Sequence, residues 1–208
     1  MAATVFATKG NLISTQRSLA LAKTGYELMD KKRNILIREM MLLVDKATSI
    51  QSEIDNVFSE AYASLIDANL SSGVIQSIAE AVPVENGVRI RTKSVMGVEV
   101  PLVTLEEKRE ETVPYGLMET DVALDNAYSK FKRVKKLCVT LSEIENSVYR
   151  LAIAIKKTQR RANSLKNIVI PRQEATVKFI VNTLEEKERE EFSRMKIIKN
   201  RKDAEKSD

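Results

Sequence analysis

Apolar residues recur along the N-terminal third of the chain with alternating spacings of three and four. This seam has thirteen positions, and only Arg33 among them is neither apolar nor aromatic. The positions are Leu19, Ala22, Tyr26, Met29, Arg33, Leu36, Met40, Leu43, Ala47, Ile50, Ile54, Val57 and Ala61. A period of 3.5 residues predicts a long helix that supercoils left-handed around a partner helix along one narrow apolar stripe.

A second seam lies in the C-terminal half of the chain. Its positions are Phe131, Val134, Leu137, Leu141, Ile144, Val148, Leu151, Ile155, Thr158, Ala162, Leu165 and Val169. Pro171 follows, and a proline inside a helix removes one hydrogen bond and clashes with the preceding turn. We therefore expect a kink or break near residues 168–171, after which the apolar pattern resumes at Val177.

The period changes between the two seams. An alternation of apolar or neutral with basic residues, typical of a half-buried strand, covers Val88, Arg89, Ile90, Arg91, Thr92 and Lys93. Val98 and Val100 follow the pair Met96-Gly97, and the whole predicts a β-hairpin over residues 88–103. The apolar segment Val74–Val82 predicts a short helix that Pro83 ends.

These patterns predict a mainly α fold, in which two long helices pair antiparallel as a left-handed coiled coil with a small central head. The N-terminal helix covers residues 9–70, and Thr8 or Asn11 can cap it. The head covers residues 71–118, with an exposed charged connector from Leu105 to Pro114. The C-terminal helix covers residues 119–199, and residues 200–208 form a frayed tail. Antiparallel pairing places Arg33 opposite a residue between Thr158 and Val177. If that residue is Thr158, the two form one polar layer, which would fix the register.

The composition argues against an enzyme. The chain of 208 residues has no histidine, the commonest general base and metal ligand at neutral pH, and a single cysteine. We interpret Cys138 as a small core residue because it lies within the second seam. Phosphate-binding glycine motifs are absent, so the sequence predicts no catalytic, cofactor-binding or metal-binding residue. Without a signal-like or membrane-spanning apolar run, we expect a cytosolic chain that does not insert into a membrane.

The basic residues are unevenly distributed. Residues 146–173 contain no acidic residue and seven basic ones, namely Arg150, Lys156, Lys157, Arg160, Arg161, Lys166 and Arg172. This stretch favours contact with an acidic partner surface. It has one aromatic residue, Tyr149, and no recognition motif, which argues against nucleic acid as the partner. Several apolar residues also lie off the seams, which indicates that another surface packs around the helices.

Several stretches resemble the D subunit of the V-type and A-type rotary ATPases. The segment Lys157–Leu165 (KTQRRANSL) is similar to the family pattern K-T-x-R-R-x-N-x-L, and Ile170-Pro171 and Leu184–Glu190 follow in the family order. Residues from Gly25 to Arg33 resemble the family's G-x-x-L-L-K-x-K-R segment, and Val100-Pro101-Leu102 resembles the end of its strand pair. From the residues alone, the alternative is a coiled-coil adaptor unrelated to ATPases, which would form a homodimer.

The resemblance implies a central rotor shaft that transmits torque between ATP hydrolysis or synthesis and proton or sodium transport. It implies four kinds of partner on the inner, cytoplasmic side of the membrane: catalytic A and non-catalytic B subunits of the ring, a small F subunit, and a funnel-shaped subunit (C or d) above the membrane rotor. The candidate contacts with the A/B ring are Arg33, Lys156, Lys157, Arg160 and Arg161. Structural residues of the hairpin head near the F subunit are Val88, Ile90, Val98 and Val100.

Overall fold

The computed structural model describes residues 6–73, 75–84, 86–106, 114–116 and 120–204. Its elements in chain order are α1 (Lys9–Ser72), α2 (Gln76–Ala81), β1 (Val88–Val95), β2 (Val98–Leu105), α3 (Val122–Ser164), a π-helical stretch (Leu165–Val169) and α4 (Ile170–Ala204). Long helices with one two-stranded sheet confirm the predicted mainly α fold class.

Helix α1 has a recognisable cap at each end. The backbone N–H of Asn11 donates to Oγ1 of Thr8 at 3.2 Å, so Thr8 is the N-cap, one of the two residues predicted for it. Gly73 follows the helix with φ of 77°, the left-handed conformation that commonly ends a helix and that glycine adopts without steric cost. The helix therefore extends two residues beyond the predicted end at residue 70.

The predicted seam of α1 is the side of the helix that is removed from solvent. All thirteen positions from Leu19 to Ala61 are buried or half-buried, and Leu36 is completely buried. The predicted positions of the second seam are likewise buried or half-buried. Ser64 and Ala68 are also buried, so the stripe on α1 continues past the last position of the clear heptad pattern.

The chain divides into two compact units, and the first comprises Met1–Arg33 and Lys157–Asp208. Within it the N-terminal part of α1 lies antiparallel to the C-terminal helices. Lys9 forms an ion pair with Glu188 at 3.2 Å, and Lys23 forms one with Glu174 at 2.7 Å. Ile180 is completely buried in this unit. The ion pairs are exposed and stabilise the unit little, so burial of the seam is its main support.

Pro171 lies in the first turn of α4, directly after the π-helical stretch. The backbone N–H of Ile170 donates to the carbonyl of Leu165, a bond that spans five residues instead of four. The wider π turn accommodates the proline ring, which would otherwise clash with a carbonyl of the preceding α-helical turn. The chain therefore stays helical from Val122 to Ala204, without the break that was one of the two expected outcomes.

The described residues of the second unit, Asn34–Lys156, form three apolar clusters. One cluster joins Leu36, Val100 and Leu151; a second joins Val57, Ala61 and Val134; and a third joins Ala68, Ile75, Tyr115 and Leu124. Along α1 the numbers rise from cluster to cluster while those on α3 fall, so these helix segments are antiparallel. Cys138 is half-buried against the second cluster, in agreement with its interpretation as a small packing residue.

Strands β1 and β2 form an antiparallel hairpin in which Val95 is opposite Val98. Met96 and Gly97 form its turn with φ of 51° and 75°. Positive φ at both central residues defines the type I′ geometry, whose twist matches that of the flanking strands. The hairpin ends at Leu105, two residues later than predicted, and Pro101 falls opposite Thr92.

Two further predicted boundaries differ from the structure. Helix α3 begins at Val122, where the backbone N–H donates to Oδ1 of Asp121 at 2.7 Å. Helix α4 extends to Ala204, so residues 200–204, predicted as part of a frayed tail, are helical. The predicted exposed connector falls largely on residues 107–113, which lie outside the described residues.

Replacing Leu36 with alanine tests the buried seam. We expect Leu36→Ala to lower the free energy of unfolding by about 2–5 kcal/mol, because it removes a completely buried side chain and leaves a cavity. Leu42→Ala is the control, since Leu42 lies on the same helix with 58% of its surface exposed and should cost less than about 0.5 kcal/mol. Denaturant unfolding measures both, and equal losses would contradict the assignment.

Candidate partner-contact surfaces

Arg33, the polar residue of the first seam, is held within the helix pair of the first unit. Its Nη1 donates to Oε1 of Gln159 at 2.8 Å, and its Nη2 lies 2.7 Å from Oδ1 of Asp30. Gln159 in turn donates through Nε2 to Oδ1 of Asn163 at 2.7 Å. Gln159 lies within the range predicted to face Arg33, beside the buried Thr158. The guanidinium therefore takes part in a polar layer between α1 and α3.

The four basic residues predicted on α3 as contacts with the ring are all exposed: Lys156, Lys157, Arg160 and Arg161. They occupy the side of the helix opposite to Thr158 and Ala162, which are buried. None of the four forms an ion pair with any residue that the structure describes. We call these four residues the basic face.

The four predicted hairpin residues differ in burial. Val100 is buried against Leu36 and Leu151, and Val98 is half-buried in the same cluster. Ile90 is 69% exposed and Val88 is 43% exposed, so the prediction of a half-buried β1 is wrong. Because Val95 and Val98 pack on the helices, the inner face is the one that also carries the basic residues of β1.

Three side chains of α3 bind the outer edge of β2, a contact that the sequence patterns did not indicate. Glu143 accepts from the backbone N–H of Val103 through Oε2 at 2.8 Å. Arg150 donates to the carbonyl of Glu99 at 3.2 Å, and Ser147 is 3.5 Å from the carbonyl of Pro101. The spacing of four and three residues places all three on one side of α3. These three residues lie between positions of the second seam, and no sequence pattern indicated their partner.

Tyr115 lies beside an apolar cavity of about 440 Å³, whose lining also includes Ile75, Leu124 and Phe131. Its hydroxyl donates to Oδ1 of Asp125 at 2.6 Å. Burial, and after it the hydrogen bond to Asp125 and the charge of that carboxylate, raise the pKa of the Tyr115 phenol. This neutral hydroxyl ties the segment before α3 to the first turn of that helix.

Two other kinds of site are absent from the described residues. They contain no group of three or more histidine, cysteine, aspartate or glutamate side chains placed to hold a metal ion. Within the same ranges, no helix combines the length and the apolar character needed to cross a bilayer. The prominent surfaces are therefore the basic face, the hairpin and the exposed apolar side chains.

These features define a paired-helix protein with a β-hairpin, whose candidate sites are surfaces for other proteins. A profile of the ATP synthase D subunit family matches residues 11–200. The chain is 42% identical over 196 residues to the D subunit of the V-type ATP synthase of Thermotoga neapolitana, across 93% of this chain and 96% of that relative. It is 37% identical over 196 residues to the D subunit of the A-type ATP synthase of Pyrococcus horikoshii, across 92% of each.

The chain therefore belongs to the ATP synthase D subunit family. This membership confirms the resemblance seen in the sequence motifs and makes the chain a subunit of a V- or A-type ATPase. It also rules out the alternative of a coiled-coil adaptor unrelated to ATPases.

Removing the guanidinium tests the role of Arg33. We expect Arg33→Ala to lower the free energy of unfolding by about 1–2 kcal/mol, because Asp30 and Gln159 lose a charged hydrogen-bond partner. Arg38→Ala is the control, an exposed arginine of the same helix that should change stability by less than about 0.5 kcal/mol. If the two variants unfold at the same denaturant concentration, the polar layer does not stabilise the helix pair.

The Tyr115 hydroxyl predicts a dependence of stability on pH. Because the pKa is raised in the folded state, its contribution is complete below pH 10 and is lost as the pH rises above that ordinary value. We expect Tyr115→Phe to cost about 1–2 kcal/mol at pH 8 and progressively less above pH 10. Tyr149→Phe, at an exposed position, is the control at pH 8. Unfolding curves at pH 8 and 11 measure the effect, and a constant difference would contradict it.

Proposed function

We propose that the chain is the central rotor shaft of a V/A-type ATPase and has no catalytic role of its own. On this proposal it transmits torque between ATP hydrolysis or synthesis in a ring of A and B subunits and proton or sodium transport in the membrane ring. The small F subunit binds at the hairpin head, and a funnel-shaped subunit (C or d) links the shaft to the membrane rotor. The chain then lies on the inner, cytoplasmic side of the membrane. Family membership supports the assignment.

The observation that carries this proposal is the basic face of α3. Its four cations are exposed and have no ionic partner among the described residues. A surface that turns within a ring must leave one contact and form the next at low cost. Distributed charge meets this requirement, because an exposed ion pair contributes only about 0–1 kcal/mol and its field extends about 8 Å at physiological salt. We therefore propose that the basic face meets acidic loops of the ring.

Exposed apolar side chains of the second unit give independent support for an enclosing partner. Tyr149 and Ile153 lie one turn apart on α3 and are 67% and 51% exposed. Ile35 and Leu42 lie two turns apart on α1 and are also exposed. All four positions lie off the seams, where another surface is expected to pack. Large apolar groups lower the free energy of an assembly when a partner covers them.

A shaft can act differently on the subunits of a ring only if its sides differ in charge or shape. The acid-free basic stretch, residues 146–173, begins on α3 and ends in α4, whereas the segment of α1 between Lys23 and Arg33, which pairs with part of it, also carries Glu27 and Asp30. At each angle a different ring subunit therefore meets the basic face. The shaft shifts the equilibrium of a catalytic site only by the difference between its contacts with the alternative states of that site. One-sided charge supplies such a difference, whereas a uniformly charged rod would not.

Charge reversal on the basic face tests the proposal. We expect Arg160→Glu with Arg161→Glu, in a complex reconstituted with A, B and F subunits, to uncouple ATP hydrolysis from rotation or to weaken assembly. Lys196→Glu with Lys199→Glu is the matched control, because it also reverses two exposed charges, but on α4 and outside the basic stretch. Rotation of a bead attached to the head and ATPase rate are read together.

The outcomes separate clearly. Loss of rotation per ATP, or loss of the complex on a sizing column, in the α3 variant but not in the control supports the shaft. Unchanged coupled ATPase in the α3 variant would exclude the basic face as the contact with the ring. A chain that never copurifies with A, B and F subunits would contradict the proposed function as a whole.

A further inference from the structure

The hairpin has two long edges, and they differ in whether side chains of the second unit contact their backbone groups. The outer edge of β2 is covered, because Glu143, Ser147 and Arg150 of α3 contact its backbone at Val103, Pro101 and Glu99. These contacts satisfy a row of backbone groups that would otherwise be free to pair with another strand. The outer edge of β1 has no equivalent cover among the described residues.

The register identifies the outward backbone groups of β1. The N–H of Glu106 donates to the carbonyl of Gly87 at 2.9 Å, so the pairs at alternate positions from there share the ladder hydrogen bonds. The N–H and C=O groups of Ile90, Thr92 and Ser94 therefore point away from β2. Within the described part of the chain, none of these outward groups has a hydrogen-bond partner.

The side chains of β1 give the open edge a chemical character. All but Val95 of its eight residues are exposed. One face carries Val88 and Ile90, while the other carries Arg89, Arg91 and Lys93. Arg89 lies 3.3 Å from Glu106, whereas Arg91 and Lys93 have no ionic partner among the described residues. A strand added beside β1 would thus meet cations on one face and apolar side chains on the other.

A second copy of this chain fits the edge poorly. Antiparallel pairing of two β1 strands would bring their arginine and lysine side chains beside one another, and like charges across strands are destabilising. Basic side chains on an edge strand are also a known device against self-association. The same charges attract a strand with carboxylates on that face. The edge therefore disfavours a second copy of β1 but can bind an acidic strand.

We propose that the open edge of β1 is a strand-addition site for an extended segment of a partner protein in which acidic and apolar side chains alternate. The acidic side chains lie beside Arg91 and Lys93, and the apolar ones beside Val88 and Ile90. Backbone hydrogen bonds to Ile90, Thr92 and Ser94 hold the segment in place. The inference rests on the hairpin alone, so it stands or falls independently of the rotor assignment.

A peptide of four alternating Val-Glu pairs, capped at both ends, is the probe. Four Val-Lys pairs are the charge control, and a peptide with the valines and the glutamates in separate blocks is the pattern control. Backbone hydrogen exchange of the full chain is followed at single-residue level. We expect the Val-Glu peptide at saturation to slow exchange of the Ile90, Thr92 and Ser94 amides by about tenfold or more, since an amide held by a bound strand exchanges only on release.

Variants of β1 complete the test. Arg91→Glu with Lys93→Glu should weaken binding of the Val-Glu peptide on the order of tenfold and allow the Val-Lys peptide to bind instead, because two cross-strand charge pairs are reversed. Lys46→Glu, an exposed charge change on α1, should change the binding of neither peptide. Thr92→Pro should abolish binding, because it removes an outward N–H that takes no part in the pairing with β2.

The charge-reversal pair retains every backbone group, so the test remains valid even if the proline variant fails to fold. Three results would overturn the proposal: no protection of β1 by either alternating peptide, equal protection by both, or equal protection by the blocked peptide. A dimer that sediments without peptide and protects the same three amides would show that a second copy occupies the edge, which also overturns it.

Discussion

The single apolar stripe on each long helix is the constraint on which the rest of this structure depends. Two helices in contact remove only one side of each from water, so most seam residues are half-buried, and complete burial is confined to a few such as Leu36, Leu151 and Ile180. Stability is consequently distributed along the seam, at about 25 cal/mol per Å² of apolar surface buried. The outward sides remain available, and they carry the basic face, the exposed apolar residues and the hairpin.

Continuity of the seam explains two local features that look like irregularities. Arg33 occupies a seam position but finds Asp30 and Gln159, so its charge is kept within the pair by hydrogen bonds. Pro171 would interrupt the backbone ladder, and the π-helical turn before it lets the helix continue. Val177, Ile180 and Leu184 are then removed from solvent in their turn. Both features preserve a continuous contact at a modest local cost.

The sequence predicted the structure correctly where local geometry restricts the residue types that can occupy a position. The period of 3.5 located the buried side of α1, because spacing and burial have the same geometric origin. Thr8 was recognisable as a cap because only a few short polar residue types suit that position. Alternation in β1 showed that its two faces differ but not which face packs. Periodicity could not predict contacts that join distant or irregular segments. Examples are the contacts of Glu143 and Arg150 with β2 and that of Tyr115 with Asp125.

The two proposed surfaces differ in a way that matches the two kinds of partner that the proposed rotor shaft would need. Strand addition is directional and fixed in register, so it suits a subunit that turns together with the shaft. The exposed cations of α3 form no directional bond within the described residues and can exchange one carboxylate for another, which suits a stationary ring past which the shaft moves. Backbone pairing at β1 would hold the partner that turns with the shaft. Screened charge on the basic face would let the shaft turn past the subunits of the ring without binding any of them tightly.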